Sequence, residues 1–416
     1  MPISRIKTDG IQDDAITSAK IVAGTVAATD IADGAITTAK IATDAVTSAK
    51  IVDGAVVVAD VADGSITTVK LAADAVTAAK LADDSVVTAN IVDGNVTAVK
   101  TTGVGKNKNM IINGAMQIGQ RGTITGLQDG YGGVDRFAFT GNTAARATLS
   151  KHTSSNVPEQ GFPAALKIDV TTADTSIAST DYHYLGYKFE GRHLQHIKKG
   201  TSNAESLTLQ FWVKSPKTGT HIVQLFDTDN TRGISKAYTV SSANTWEKKI
   251  ITFAGDTTGA MDDDNNYSLQ IYWWLLAGSD YTTGSLRTSW DSWSSNGTAA
   301  GQVNVLDSTS NDFYLTGIQM EVGTQATDFE HRSYGEELQL CKRYYELLTG
   351  STYPTDYSTA TLGNFFWTVE KRGQPSVTGT ASGGHTFNGR YVQGGYIYKN
   401  PQNHNSVTNI AGDSEL

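Results

Sequence analysis

The chain has 416 residues and a formal net charge of −9, long enough for two or three domains and too acidic for a protein built to grip nucleic acid phosphates. Its single cysteine, Cys341, excludes an intrachain disulfide, so stability has to come from burial or from association between chains. No stretch approaches the ~18 apolar residues of a membrane span, and the opening MPISRIKTDG lacks the basic and apolar regions of a secretory signal, which predicts a soluble protein without Sec export.

No Phe, Trp or Tyr occurs before Tyr131 or after Tyr398, so the chain joins two kinds of sequence. Residues 11–100 fall into nine blocks of ten, as in IADGAITTAK and LAADAVTAAK. The first place is always aliphatic (Ile11, Ile31, Leu71, Ile91) and so is the sixth (Ile16, Ile36, Val76, Val96). Places three and four favour Asp-Gly, as at Asp33-Gly34 and Asp53-Gly54, where glycine accepts positive φ and the chain turns. A period of ten fits neither a heptad nor one long strand. The pattern predicts one turn per block: a short extended piece, then Thr or Ser capping a helical turn through Ala-Lys-Ile/Leu-Ala, closed by Asp-Gly. An all-β version that folds back at each Asp-Gly is the alternative. One block buries ~3–5 kcal/mol of aliphatic surface, against roughly 10 kcal/mol or more for ordering ten residues. The repeat therefore needs neighbouring blocks and neighbouring chains, although this arithmetic does not choose three chains over two or four. A disordered linker would have no reason to keep the aliphatic register.

Residues 101–108 lose the aliphatic phase and read as a joint. Beyond them short apolar stretches (AALKIDV, LTLQFWVKS, HIVQLF, KKIITF, YSLQIYWWLLAG, DFYLTGIQMEVG) alternate with turn residues, which predicts a β-sandwich of jelly-roll type over 109–332. Ser333 and Glu336 make a capping box, and Leu338, Cys341, Tyr345 and Leu348 recur at helical spacing before Gly350, predicting a connecting helix over 333–350 with Cys341 as a buried hydrophobe. Aromatic, glycine-punctuated strands then form a small tip domain over 351–416.

Several of these residues carry a family resemblance. Asn109-Met110-Ile111-Ile112-Asn113-Gly114-Ala115-Met116-Gln117, Gln120-Arg121-Gly122 and Val134-Asp135-Arg136-Phe137 resemble the head of bacteriophage tail fibre proteins. So do Gly255-Asp256-Thr257-Thr258-Gly259, the Leu315–Gly323 segment, Ala326–Arg332 running into Cys341-Lys342-Arg343-Tyr344-Tyr345, and the ending Asp413-Ser414-Glu415-Leu416. The Asp-Gly-Ala-Ile-Thr-Thr-Ala-Lys repeat is similar to their shafts. The resemblance implies a mainly β, elongated homotrimeric fibre with a repetitive N-terminal shaft and a head similar to carbohydrate-binding modules. It implies attachment of the virion to host lipopolysaccharide or capsule, without naming the sugar. It places the protein in the virion, made in the bacterial host cytoplasm, with residues 1–10 held by another tail or baseplate protein. No nucleic acid and no membrane insertion are expected.

Sugar binding uses flat aromatic faces beside planar polar groups. The densest aromatic region supplies Trp273, Trp274, Tyr281, Trp290 and Trp293 as candidate ligand contacts, and in a strand Trp273 and Trp274 must point to opposite faces. Trp212 reads as core. Asp262, Asp263 and Asp264 offer hard oxygens for a structural calcium, the one cofactor to weigh, although they lack the spacing of a calcium loop and a solvated turn is the commoner use of such a run. His183, His193 and His196 lack zinc spacing and read as surface residues. No G-x-S-x-G elbow or nucleotide-binding glycine loop occurs, so no catalytic residues are assigned and an enzyme is not expected. A glycan-degrading tail spike and a purely structural fibre subunit are the alternatives.

Overall fold

The computed structural model describes residues 12, 15–72, 75–77, 81, 108–153, 157, 161–349, 362–381, 385–399 and 407–415. The segment 1–10, the joint at 101–107 and residues 350–361 lie outside the described residues. The chain divides into two compact units, Met1–Val92 and Asp93–Leu416.

In the first unit each described block turns twice, where the sequence predicts once. The fifth place donates to the carbonyl of the second, as in Ala35 N to Ala32 O at 3.0 Å, around a residue at positive φ such as Gly34 (+74°). Asp44 takes the same conformation at +63°, as short polar side chains sometimes do. Places eight to ten then form a 3-10 turn, for example Thr38–Lys40, entered through an extended residue, Thr37 at φ −96° and ψ 162°. The expected cap is absent: Thr17, Thr37 and Thr47 make no side-chain bond to the turn, and the turn ends at the next aliphatic residue.

Place ten closes the block instead, in one of two ways. Where it is lysine, the ammonium donates back to the carbonyl of place five: Lys20 to Ala15 at 2.6 Å, Lys40 to Ala35 at 2.7 Å, Lys50 to Ala45 and Lys70 to Ser65 at 2.6 Å. Where it is aspartate, the carboxylate accepts from the place-seven amide: Ala27 N to Asp30 at 2.8 Å and Val57 N to Asp60 at 2.9 Å. No strand occurs among the described residues of this unit, so the all-β alternative fails. The described aliphatics of places one and six remain 38–58% exposed in the single chain.

The second unit is mainly β. Its strands are β1 Ile124–Leu127, β2 Gly130–Tyr131, β3 Ala138–Gly141, β4 Arg146–His152, β5 Ala165–Thr172, β6 Tyr182–Glu190, β7 Leu207–Lys214, β8 Gly219–Asp227, β9 Arg232–Val240, β10 Glu247–Phe253, β11 Tyr267–Ala277, β12 Asp291–Ser292 and β13 Asp312–Val322. They form a six-stranded sheet, β1-β4-β5-β13-β7-β10, and a seven-stranded sheet, β12-β9-β8-β11-β6-β3-β2, all antiparallel. The inward residues of both close one core, including Phe139, Leu185, Phe211, Val223, Leu269, Ile271, Trp273, Phe313 and Leu315. This is a β-sandwich.

Strand β13 keeps its apolar residues inward through a bulge. Phe313 and Leu315 face the core, pairing with β7 slips between Thr316 and Gln319, and Ile318 and Met320 then face the core. Gly317 sits in the slip at φ +61°, where a Cβ would lie 2.4 Å from the Phe162 ring, so only glycine fits. The bulge docks the segment around residue 110: Ile318 N donates to Gly114 O at 3.0 Å and Asn109 Nδ2 to Ile318 O at 3.1 Å. Asn113, at φ +63°, ties that segment to Ile118 and Asp135 through its side chain. The asparagines of the NMIINGAM motif are therefore used up in holding the fold.

The connecting helix is shorter than the sequence predicts. Helix α1 is the single turn Ser279–Thr282, and α2 runs only from Tyr334 to Lys342, with Ser333 Oγ accepting from Glu336 N at its start. Residues Tyr345–Leu348 leave the helical pattern to become β14, because their backbone pairs with residues 410–413. Cys341 is buried, as expected. The remaining strands are β15 Leu362–Phe366, β16 Ser376–Ala381, β17 His385–Tyr391, β18 Gly394–Lys399 and β19 Val407–Asp413, in two three-stranded sheets, β14-β19-β16 and β15-β18-β17. Their described core is small: Phe365, Trp367, Val377 and Ile410, with Leu348 against it. The C-terminal residues lock onto the sandwich. Glu415 pairs with the buried Arg136 and with Arg121, and the Arg136 guanidinium lies 3.4 Å from the Tyr344 ring centroid.

Trp212 differs from expectation. It is half-buried on the outer face of the six-stranded sheet, beside Phe162, Trp246 and Phe329. His183 is not a surface residue: it is fully buried, its ring nitrogens within 2.9 Å of Thr143 Oγ1 and 3.0 Å of Gln128 O. His221 is also buried, with Nε2 3.0 Å from Lys217 O, and burial pushes both imidazoles below their ordinary value. The unfolded chain then binds more protons as pH falls below ~6.5, so stability present above that pH is lost towards the folded value. His221→Phe removes this linkage. The stability difference, parent minus variant, should fall between pH 7 and pH 5 in urea titrations, and a gap independent of pH would contradict the reading.

Candidate functional site

The seven-stranded sheet has a second apolar surface on its outer face. Alternation along β11 sends Leu269, Ile271, Trp273 and Leu275 into the core and Tyr272 and Trp274 outward. Antiparallel pairing sets Trp274 opposite Tyr184 on β6, and Tyr272 opposite Gln224 on β8 and Gly186 on β6. Gly186 leaves the room that the Tyr184 ring occupies, since a Cβ there would lie 3.2 Å from it. The rings of Tyr182, Tyr184, Tyr272 and Phe226 follow one another across three strands in near-parallel orientation, with centroids 5.8, 4.1 and 6.1 Å apart. Each such pair contributes about 0.5–1.5 kcal/mol beyond its burial.

The long connection from β11 to β13 folds back over this face. Ala299 N donates to Tyr281 O, Val303 N to Thr220 O and Ser235 Oγ to Thr298 O, and Gln302 Oε1 accepts from Ile222 N. It leaves open a groove of about 270 Å³, lined by Tyr182, Tyr184, Gln224, Phe226, Tyr272, Trp274, Tyr281 and Trp293. Trp293 stands at one end, 40% exposed, its ring 5.9 Å from Phe226 and turned 68° to it. Tyr281 packs on Trp274 at 5.2 Å. Burial raises the Tyr184, Tyr272 and Tyr281 phenols above their ordinary range, so they stay neutral. The one amide, Gln224, is 1% exposed, and its Oε1 accepts from Trp274 Nε1 at 3.1 Å.

Of the five aromatic candidates, Trp274, Tyr281 and Trp293 converge on this groove. Trp273 does not: it is fully buried between the sheets and offers a ligand no surface. Trp290 does not either. Its Nε1 donates to Ala254 O at 2.7 Å, and it packs against the core edge with the Lys199 ammonium 5.4 Å from its ring. Tyr182, Tyr184, Gln224, Phe226 and Tyr272 also line it and were not among the candidates read from the sequence. The signal available for the first two was the alternation of DYHYLGYKF, which puts Tyr182, Tyr184 and Gly186 on one face.

The acidic run does not gather a metal site. Asp264 turns its carboxylate onto Asn266, at 2.9 and 2.6 Å, Asp262 and Asp263 are exposed, and no group of three potential ligands forms among the described residues. An oxygen cage does form elsewhere, around a cation of the chain itself. The Lys199 ammonium lies 2.5 Å from Asp227 Oδ2 and 3.0 Å from Asp256 Oδ2, and donates to the carbonyls of Thr258 and Gly259 at 2.8 and 2.9 Å. Burial alone would raise Asp256, but hydrogen bonds from Arg232 and Lys199 hold it below the usual carboxylate range. The Gly255–Gly259 segment thus wraps a lysine. His193 and His196 line a larger cavity of about 790 Å³ between β6, α2 and residues 109–112, where Arg343 and Glu190 pair with each other at 3.0 and 2.8 Å.

No protein-family model matches the chain, and no curated protein matches it. Among solved structures it is similar to the enzymatically active domain of tailspike protein 4 of bacteriophage CBA120, at 10% identity over 52% of this chain and 21% of that one, with a TM-score of 0.28. It thus spans about a fifth of that domain's length. It is also similar to the family 11 carbohydrate-binding module of Clostridium thermocellum Lic26A-Cel5E (13% identity, 50% of this chain and 98% of that one, TM-score 0.24). The C-terminal family 22 module of Clostridium thermocellum Xyn10B matches comparably (12%, 48% and 96%, TM-score 0.25). Likeness at this level carries no argument about function, which rests on the groove.

Removing one member of a buried charge cluster leaves its partners uncompensated. Lys199→Met should therefore lower the unfolding free energy by roughly 3–5 kcal/mol. Denaturant titration of the two proteins checks this, and equal midpoints would contradict the role given to the lysine.

Proposed function

We propose that the chain is a phage tail fibre protein that attaches the virion to its host by binding surface glycan, lipopolysaccharide or capsule, through the outer-face groove. The observation that carries this reading is the groove itself, seven aromatic side chains around one amide on a rigid sheet. Pyranoses present an apolar face for rings and hydroxyls for planar polar groups, and such a lining suits both.

The repeat supports the multivalent half of the reading. Its aliphatics at places one and six are 38–58% exposed in one chain, and the block's internal bonds leave that surface uncovered. Several chains associating along these rows would bury both, and a homotrimer is the assembly we propose. Grooves held together then add weak contacts as avidity. Residues 1–10 would be held by another tail or baseplate protein, and the protein would reside in the virion after synthesis in the host cytoplasm. The function as proposed uses no cofactor, nucleic acid or membrane insertion. It is binding rather than cleavage: glycoside hydrolysis needs a pair of carboxylates, and none lines the groove among the described residues.

The test is retention of the full chain on immobilised polysaccharide from the bacterium the phage infects. Trp293→Ala should weaken retention about 10- to 30-fold, the ~1.5–2 kcal/mol of an aromatic anchor, at an unchanged melting temperature. Undiminished retention would remove the groove as the site, and shortening of the polymer by the parent protein would replace the adhesin by a spike enzyme.

A further inference from the structure

The polar content of the groove says which glycans it admits. Trp274 Nε1 can only donate, so the Gln224 atom that it meets at 3.1 Å must be the amide oxygen, and this fixes which way the amide faces. The amide nitrogen is then committed to the other side. Gln224 Nε2 is buried and has no hydrogen-bond partner among the described residues. Its position is known from Gly233: a Cβ built there would lie 3.1 Å from Gln224 Nε2 and 3.6 Å from Trp293 Cδ1. The free donor therefore lies over the buried Gly233 on β9, beside the exposed indole, at the end of the groove that Gln224 and Trp293 line. A buried donor without an acceptor is destabilising, a penalty that a ligand oxygen would relieve.

Charge is the second element. None of the residues lining the groove is a carboxylate, lysine, arginine or histidine. A uronate, sialate or phosphate entering it would lose water and find no cation in exchange. An uncharged pyranose loses only hydroxyl hydration and regains bonds.

We infer that the groove selects uncharged glycans, with Gln224 Nε2 donating to an ether oxygen, ring or glycosidic, of a pyranose seated beside Trp293. This rests on the groove being the glycan site, and deepens that reading to a ligand class and a specificity residue. Gln224→Glu is the informative change. The introduced carboxyl keeps an acceptor for Trp274, and when ionised it offers the ligand oxygen a second acceptor in place of the donor. When protonated it can donate again.

The experiment screens the full chain against an array of neutral and acidic oligosaccharides at low and high salt, then measures the best ligand with Gln224→Glu from pH 5 to pH 9. The expected result is retention of neutral glycans only, unchanged by salt. The variant should bind at least about tenfold more weakly at high pH, because the buried donor is lost, and should recover towards pH 5 while the parent stays flat. Preferential, salt-sensitive retention of acidic glycans that Trp293→Ala abolishes would overturn the inference and leave the groove as the site. Equal binding by parent and variant at every pH would overturn the role of Gln224. Retention of no glycan at all, or retention indifferent to Trp293→Ala, would overturn the underlying reading and the inference with it.

Discussion

An extended backbone sets successive side chains on opposite faces, and in Tyr267–Ala277 this alternation has to satisfy two apolar surfaces at once. Trp273 goes inward, where it meets Phe137 and Phe211 at 6.3 and 5.9 Å. Trp274 goes outward, where it is covered by Tyr281 and bonds Gln224. A register slip of one residue would exchange them and lose core and groove together. The core is thus what makes the groove rigid: floor residues on β6, β8 and β11 keep their spacing because their neighbours in sequence are locked between the sheets.

How much of this was legible in the sequence depends on whether the deciding contact is local. The opposition of Trp273 and Trp274 follows from adjacency, and it emerges in the fold. The choice of which one faces the groove required the partner strands. Tyr184, Phe226 and Gln224 reach the groove only through cross-strand pairing between segments some 40 to 90 residues apart, as Trp274 with Tyr184 and Tyr272 with Gln224. Trp290 and Trp293 are three residues apart in one composition-defined loop, yet one packs on the core edge and the other rims the groove. Nothing in SWDSWSSNG distinguishes them. The helix predicted over 333–350 shows the same limit. The serine half of its predicted capping box is local and present, Ser333 Oγ accepting from Glu336 N, whereas its early end at Lys342 comes from pairing between β14 and a strand some 60 residues later.

In the repeat, the period of ten announced turns and aliphatic rows, but not that a long cation or a short anion at place ten would close the block in different ways. Both devices satisfy backbone groups within the block, lysine a carbonyl and aspartate an amide. They give each block its shape without burying the two aliphatics that define its period. Local bonds and apolar rows are thus divided in purpose: the first set the conformation of one chain, and the second are left for the chain association proposed above.

That division is the central claim, because the proposed multivalent attachment depends on it. The most direct test is the mass in solution of the full chain and of residues 108–416, by sedimentation equilibrium. The account predicts three copies of the full chain held together, with association weakened when the repeat is removed. A full chain that sediments as a monomer across the micromolar range would contradict it.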